Sequence, residues 1–189
     1  MSLVVSGISH HTSEVALRER LAFAEGRIPE AISQIRARLE NAGVVILNTC
    51  NRSEIYVNHV GDAQDLHRDI RQFLCEWHDI EESEFADALY EHQDAEVAGH
   101  LFRVASSLDS LVVGETQILG QVHDAYLISH AAQSTDKIVN ALFQKAFAVG
   151  KKLRSNTRIS EGQVSTSSVA VDLAVSIFMD LTDKSGIVR

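Results

Sequence analysis

The sequence predicts an α+β protein, a four-stranded sheet with two helices followed by a bundle of helices, and three observations predict it. In the first half, short apolar or β-branched runs and helix-period stretches succeed one another as strand, helix, strand, strand, helix, strand. The middle two strands are joined by the polar run Asn48-Thr49-Cys50-Asn51-Arg52-Ser53, too short for a crossover helix, so they are antiparallel neighbours. From Asp94 onward the period is helical throughout. Together these describe the split, ferredoxin-like βαββαβ arrangement followed by a helical bundle extension.

The first element, residues 3–8, is a β-branched run ending in Ser-His-His-Thr. Ser13 is placed to cap a short helix reaching about Leu21. Pro29 suits the first turn of a helix over 29–41, with Ile32, Ile35 and Leu39 on one stripe and Gly43 as its stop. Residues 44–47 form a continuous apolar strand, and Ile55, Val57 and His59 alternate with polar residues in the next. Leu66, Ile70, Phe73, Leu74 and Trp77 mark a helix over 63–77, and Leu89 and Tyr90 begin a fourth strand. Four helical stretches follow, at about 94–107, 115–132, 134–155 and 164–181. The division that results is a sheet part at about 1–93, a helical part at about 94–160, and a remainder from 161 to 189.

Composition narrows the class. With 45% hydrophobic and 23% charged residues and one proline in 189, the chain can bury a core, which excludes a disordered tail or a collagen-like fibre. Its cysteines, Cys50 and Cys75, are too few for a disulfide framework, and the first residues lack a signal-peptide pattern, so a reducing cytoplasmic setting is expected. The most apolar long stretch, 164–181, is broken by Ser165, Thr166, Ser167, Ser168, Asp172 and Asp180, so no membrane span is expected. The net charge of −9 hides an asymmetry. Residues 137–160 carry Lys137, Lys145, Lys151, Lys152, Arg154 and Arg158 and no acid, leaving −15 on the rest. A one-sided basic helix face in an acidic protein points to an anionic partner, RNA being the natural candidate, against the plainer reading of a solvated face.

Cys50 is the candidate nucleophile. A cysteine is commonly a buried packing residue, yet Cys50 sits among Asn48, Thr49, Asn51, Arg52, Ser53 and Glu54, which is not how a core position is built. Cys75 follows Phe73 and Leu74 on an amphipathic helix and reads as packing. His100 borders the stripe of Val97, Leu101 and Val104, a place where boundary histidines are common. Hydroxyls and a carboxylate in Ser107-Leu108-Asp109-Ser110 lie near the same helix end. Gly114-Glu115-Thr116-Gln117 opens the next helix, with Gln121 one turn along on the face of Gln117. Cys75 and His78 lack a second ligand pair and His10-His11 is uninformative, so no metal is expected. No Gly-x-Gly occurs, so the usual dinucleotide and phosphate loops are not available.

Four blocks in order, Gly7-Ile8-Ser9-His10-His11-Thr12, Leu17-Arg18-Glu19-Arg20-Leu21-Ala22-Phe23, Asn48-Thr49-Cys50-Asn51-Arg52-Ser53-Glu54 and the run from Ser107 to Gln121, resemble glutamyl-tRNA reductase. The resemblance implies that Cys50 attacks the ester joining glutamate to tRNA, and that NADPH reduces the resulting thioester to glutamate-1-semialdehyde, the precursor of 5-aminolevulinate and tetrapyrroles. It implies that Arg52 contacts the glutamate carboxylate, that Thr49, Asn51, Ser110, Glu115, Thr116, Gln117 and Gln121 line the substrate pocket, and that His100 positions or polarises the ester. It further implies glutamyl-tRNA as partner, through Lys145, Lys151, Lys152, Arg154 and Arg158, a homodimer at full length, and glutamate-1-semialdehyde aminomutase as a second partner. Asn48 stands where the family often has Ser, Ser53 where it often has Thr, and Thr116 where it often has Pro. Residues 161–189 would then be a linking helix and the start of an NADPH-binding domain, so the chain alone is expected to bind no NADPH and to stop at acyl transfer and hydrolysis. A non-catalytic tRNA- or partner-binding domain of the same fold is the alternative. A general cysteine hydrolase is less consistent with the sequence, which shows no base with an orienting partner.

Overall fold

The computed structural model describes residues 1–157 and 159. Four strands, β1 (Ser2–Ser9), β2 (Gly43–Asn48), β3 (Arg52–His59) and β4 (Tyr90–Gln93), form one sheet in the order β2-β3-β1-β4, antiparallel at every step. Three helices accompany it in the first half: α1 (Val15–Arg20), α2 (Ile28–Arg38) and α3 (Ala63–His78). Then come α4 (Ala95–Ala105), α5 (Ile118–Ala131) and α6 (Lys137–Asn156). This is the α+β, ferredoxin-like topology with a helical extension.

The extension lies against the sheet rather than beside it. Strand side chains alternate between faces, and here each face has its own core. Val4, Ile8, Val44, Ile46, Ile55 and Val57 pack with Ile32 and Ile35 of α2 and Ile70 and Phe73 of α3. Val5, Val45, Leu47 and Tyr56 pack with Val97, Leu101 and Val104 of α4, Val122 of α5, and Val139 and Phe143 of α6. The molecule is therefore three layers, helix, sheet, helix. In β3 the polar alternates Arg52 and Glu54 face this second core instead of water.

Several local expectations are corrected. Ser13 does not cap α1: Glu14 holds that position, and the Ser13 hydroxyl donates to the Ser9 carbonyl at 2.9 Å. α2 ends at Arg38, and the chain turns at Asn41 with φ 61°. Gly43 is the first residue of β2, not a helix stop; a Cβ there would lie 2.6 Å from the Asp136 carboxyl carbon, so glycine lets the two segments meet. Leu89 precedes β4 as the cap of a short 3-10 turn. α5 starts at Ile118 instead of 115, because the preceding segment is held by α6 in a non-helical path. α6 begins where Asp136 accepts from the Val139 N–H at 2.8 Å. The helix expected over 164–181 lies outside the described residues. None of the described helices is long and apolar enough to cross a membrane.

Candidate active site

The site grows from the turn between β2 and β3. The Thr49 N–H donates to the Arg52 carbonyl at 2.8 Å, and the Thr49 hydroxyl oxygen accepts from the Asn51 and Arg52 N–H groups, each at 3.2 Å. A residue whose side chain satisfies its own turn is a common hairpin device, and it leaves Cys50 exposed at the apex. The turn is anchored from three sides. His10 donates its N–H to the Asn51 carbonyl at 2.9 Å, which brings the end of β1 onto the loop. Asn48 exchanges two hydrogen bonds with the Phe23 backbone, at 3.0 and 3.1 Å, and the Ser53 hydroxyl donates to the Leu21 carbonyl at 3.0 Å. Arg18 of α1 reaches the Cys50 carbonyl at 3.5 Å.

Beneath the turn lies a buried polar network centred on Glu54, which is fully buried. Its Oε1 accepts from Arg52 Nη1 at 2.7 Å and lies 2.8 Å from Nε2 of His100; the Tyr90 hydroxyl donates to the same oxygen, and the Tyr56 hydroxyl donates to Oε2 at 2.6 Å. The register explains this convergence. Gly7 in β1 pairs with Glu54 on one side and Tyr90 on the other, and a Cβ at Gly7 would fall 2.8 Å from Glu54 Cγ. Glycine here opens the lane through which Tyr90 reaches Glu54. Burial opposes ionisation of Glu54, but the Arg52 charge, with the bonds from His100 and Tyr56, holds its carboxyl well below the usual carboxylate range. Arg52 loses hydration on burial, yet the facing Glu54 keeps it firmly protonated. Burial and then the Glu54 charge push both tyrosine hydroxyls up.

Arg52 has a second carboxylate. Its Nη2 donates to Oδ2 of Asp109 at 2.9 Å and to the Asp109 carbonyl, joining the segment after α4 to the turn. Oδ1 of Asp109 lies 3.6 Å from Nε2 of His11, whose ring is 3.9 Å from that of His10. Burial, then the neighbouring His11 and Arg52, lower the His10 pKa, and its Nδ1 has no hydrogen-bond partner. An open depression of about 620 Å³ next to the turn is lined by His10, Ser13, Glu14, Val15, Ala16, Arg18 and Leu111.

The expected site residues divide. Thr49, Cys50, Asn51 and Arg52 form the turn, and buried Ser110 adjoins Asp109. The side chain of Arg52 is turned inward and neutralised by two carboxylates, so the cation at the loop is Arg18. His100 is 4% exposed, with Nε2 directed at Glu54, so it does not face the apex as an ester-polarising group would. The carbonyls of Glu115 and Thr116 accept from Arg154, and Gln117 is the exposed residue before α5. Gln121 lines a separate cavity of about 270 Å³ that includes Asn48, Glu25, Asp124 and Ile128. Arg154 is not a free member of the basic face, because its guanidinium binds the Thr116 and Glu115 carbonyls at 2.9 Å each. Lys145, Lys151 and Lys152 are exposed, and Arg158 lies outside the described residues. Cys75 packs against the core of α2 and α3, where burial and the nearby Glu82 push its thiol up. No group of three or more His, Cys, Asp or Glu side chains able to hold a metal occurs among the described residues.

Sequence reasoning passed over Glu54, Tyr56, Tyr90, Arg18 and the roles of His10, His11 and Asp109. Glu54 and Asp109 lie inside the quoted blocks; charged residues at alternate positions of an otherwise apolar strand are the signal for Glu54, whereas Asp109 sits in an irregular segment that offers none. Tyr90 carried none, because only strand register places it beside Glu54.

An exposed thiol on a tight turn over a buried, charge-paired arginine makes this a cysteine-bearing α+β domain. The comparisons specify it further. Residues 6–157 match the family model of the glutamyl-tRNA(Glu) reductase N-terminal domain, and the chain belongs to this family. It is 43% identical over 187 residues to glutamyl-tRNA reductase of Carboxydothermus hydrogenoformans, covering 99% of this chain and 41% of that protein. It is likewise 43% identical to that of Thermodesulfovibrio yellowstonii, covering 98% of this chain and 44% of that protein. Among solved structures, glutamyl-tRNA reductase from Methanopyrus kandleri superposes with a TM-score of 0.72 at 36% identity, over 92% of this chain and 39% of that one. The chain thus spans about two fifths of the length of these relatives.

Proposed function

We propose that this chain carries out the acyl-transfer half of the reduction of glutamyl-tRNA, with Cys50 as nucleophile. The observation that supports it most directly is the exposed Cys50 at the apex of a turn braced from β1, α1 and the segment after α4. The Cys50 thiolate forms a C–S bond to the ester carbonyl carbon; the C–O bond to the terminal ribose breaks, and the leaving oxygen takes up a proton. Glutamate is left as a thioester and tRNA is free. Arg52 binds the side-chain carboxylate of the glutamyl group through Nη2, while Nη1 stays on Glu54. Thr49, Asn51 and Ser110 surround that group, and Glu115, Thr116 and Gln117 extend the pocket; Gln121, at the separate cavity, is left out of it. His100 acts as a positioning residue, holding Glu54 and through it Arg52.

In the family's full reaction NADPH supplies the hydride that releases the acyl group as glutamate-1-semialdehyde. The described residues form a wholly antiparallel sheet, whereas dinucleotides sit at the carboxyl ends of parallel strands behind a glycine-rich turn. The residues described do not fit NADPH, and no hydride step is assigned to them. With the described residues alone, water adds to the thioester carbonyl, glutamate is released and the thiol returns. Lys145, Lys151 and Lys152 contact the tRNA backbone; homodimer formation and transfer of the aldehyde to an aminomutase belong to the same reading for the whole enzyme.

The test is intact-mass analysis after acid quenching of the chain mixed with glutamyl-tRNA without NADPH. A glutamyl adduct that disappears in Cys50→Ser, together with deacylation above background, is the expected result. Deacylation that survives Cys50→Ser overturns Cys50 as the nucleophile, and neither adduct nor deacylation above background in wild type leaves only a tRNA-binding domain.

A further inference from the structure

We propose that Asp109 is an internal stand-in for the substrate's carboxylate: it occupies Arg52 in the free chain and is exchanged for the side-chain carboxylate of the entering acyl group. This rests on the reading of Arg52 as the glutamate-binding residue.

The geometry of Arg52 motivates it. The side chain is 1% exposed, and its two terminal nitrogens are divided, Nη1 to Glu54 and Nη2 to Asp109. Glu54 is locked by four partners in the interior. The Asp109 side chain is 24% exposed and is the solvent-side cover of the pair. Any ligand that reaches Arg52 from the Cys50 side must therefore replace Asp109 and not Glu54.

The loop is built for a local exchange. Its base is closed by the Gly114 N–H donating to the Ser107 carbonyl at 3.0 Å, the Ser107 hydroxyl donating to the Glu115 carbonyl, and Arg154 binding the Glu115 and Thr116 carbonyls. Its tip is exposed at Leu108, Leu111 and Val113. In the proposed exchange the tip carrying Asp109 moves while the base stays pinned to α6.

Exchange also yields selectivity. Glu54 stays on Nη1, but Nη2 of this buried guanidinium is left short of a carboxylate when Asp109 leaves, so a ligand that returns a carboxylate displaces Asp109 at the least cost. A glutamyl ester does this; a glutaminyl ester presents a neutral amide and leaves the site closed. Discrimination then comes from closure of the empty site as well as from contact in the filled one.

The experiment measures single-turnover adduct formation on Cys50 with the same tRNA charged with glutamate or with glutamine, in wild type, Asp109→Asn and Asp109→Ser, each checked by circular dichroism and thermal midpoint. With the stand-in weakened, the half-saturating concentration of glutamyl-tRNA falls about tenfold, since the competent state is no longer scarce, while the maximal rate holds. Preference for glutamate over glutamine falls with it. A merely structural Asp109 would give the opposite, a higher half-saturation or a lower maximal rate with preference intact, and that result overturns the inference. Unchanged values in both variants overturn it alone. No wild-type adduct, or an Arg52→Lys variant that keeps full preference for glutamate, overturns the underlying reading and this inference with it.

Discussion

Glu54 is a charged carboxylate with no exposed surface, tolerated because Arg52, His100, Tyr56 and Tyr90 all turn toward it. Removing one partner of a buried ion pair typically costs about 3–5 kcal/mol, because the survivor keeps its desolvation penalty. Glu54→Gln, which retains the shape and leaves Arg52 with Asp109, is expected near the lower end, about 3 kcal/mol by urea unfolding. The pH dependence has a definite sign. A carboxyl whose folded pKa is depressed binds its proton more readily in the unfolded chain, so its contribution is fully present above about pH 4.5 and is lost as pH falls below it. The acid limb of the wild-type stability curve should therefore be shallower in Glu54→Gln; equal limbs would mean that Glu54 is not ionised in the folded protein.

At the scale of elements, α6 does two jobs that its basic composition suggested only in part. Gly150 allows it to approach the end of α4, where a Cβ would meet the Ala105 carbonyl at 2.7 Å, and Arg154 fastens the 107–116 segment. Replacing Arg154 by Gln removes hydrogen bonds of about 0.5–1.5 kcal/mol each. The expected loss is about 1–2 kcal/mol. Amide exchange at Gly114 and Glu115 should accelerate while the interior of α6 stays protected. Uniform acceleration along α6 would instead show that Arg154 supports the helix and not the segment.

At the scale of the whole molecule, the proposed tRNA contact through the basic helix is separable by salt dependence from the acidic body. Each lysine contacting a phosphate releases about one counterion, so replacing Lys145, Lys151 and Lys152 singly by Gln should lower the slope of log affinity for tRNA against log salt by about one each. Arg154→Gln should leave that slope in place, since its guanidinium is already taken up by backbone carbonyls. A slope that responds only to Arg154 would reverse this assignment.

Residue order alone determined the element sequence, the antiparallel hairpin over 48–53, the packing role of Cys75 and the prominence of Cys50, because period, turn length and polar clustering are local properties of the chain. It also carried the family resemblance, whose four blocks fall on β1, α1, the β2–β3 turn and the segment leading into α5. It misplaced the start of α5 by three residues, since a long-range clamp from α6 overrode local helical period there. Only the tertiary structure decided that both faces of the sheet are buried, that Arg52 points inward between Glu54 and Asp109, that His100 serves Glu54, and that Arg154 is withdrawn from the basic face. These follow from strand register and helix docking, which bring together residues 46 apart, as for Glu54 and His100, and 57 apart, as for Arg52 and Asp109. No local period encodes such distances, because the energy of a buried charge depends on which partners the fold brings to it.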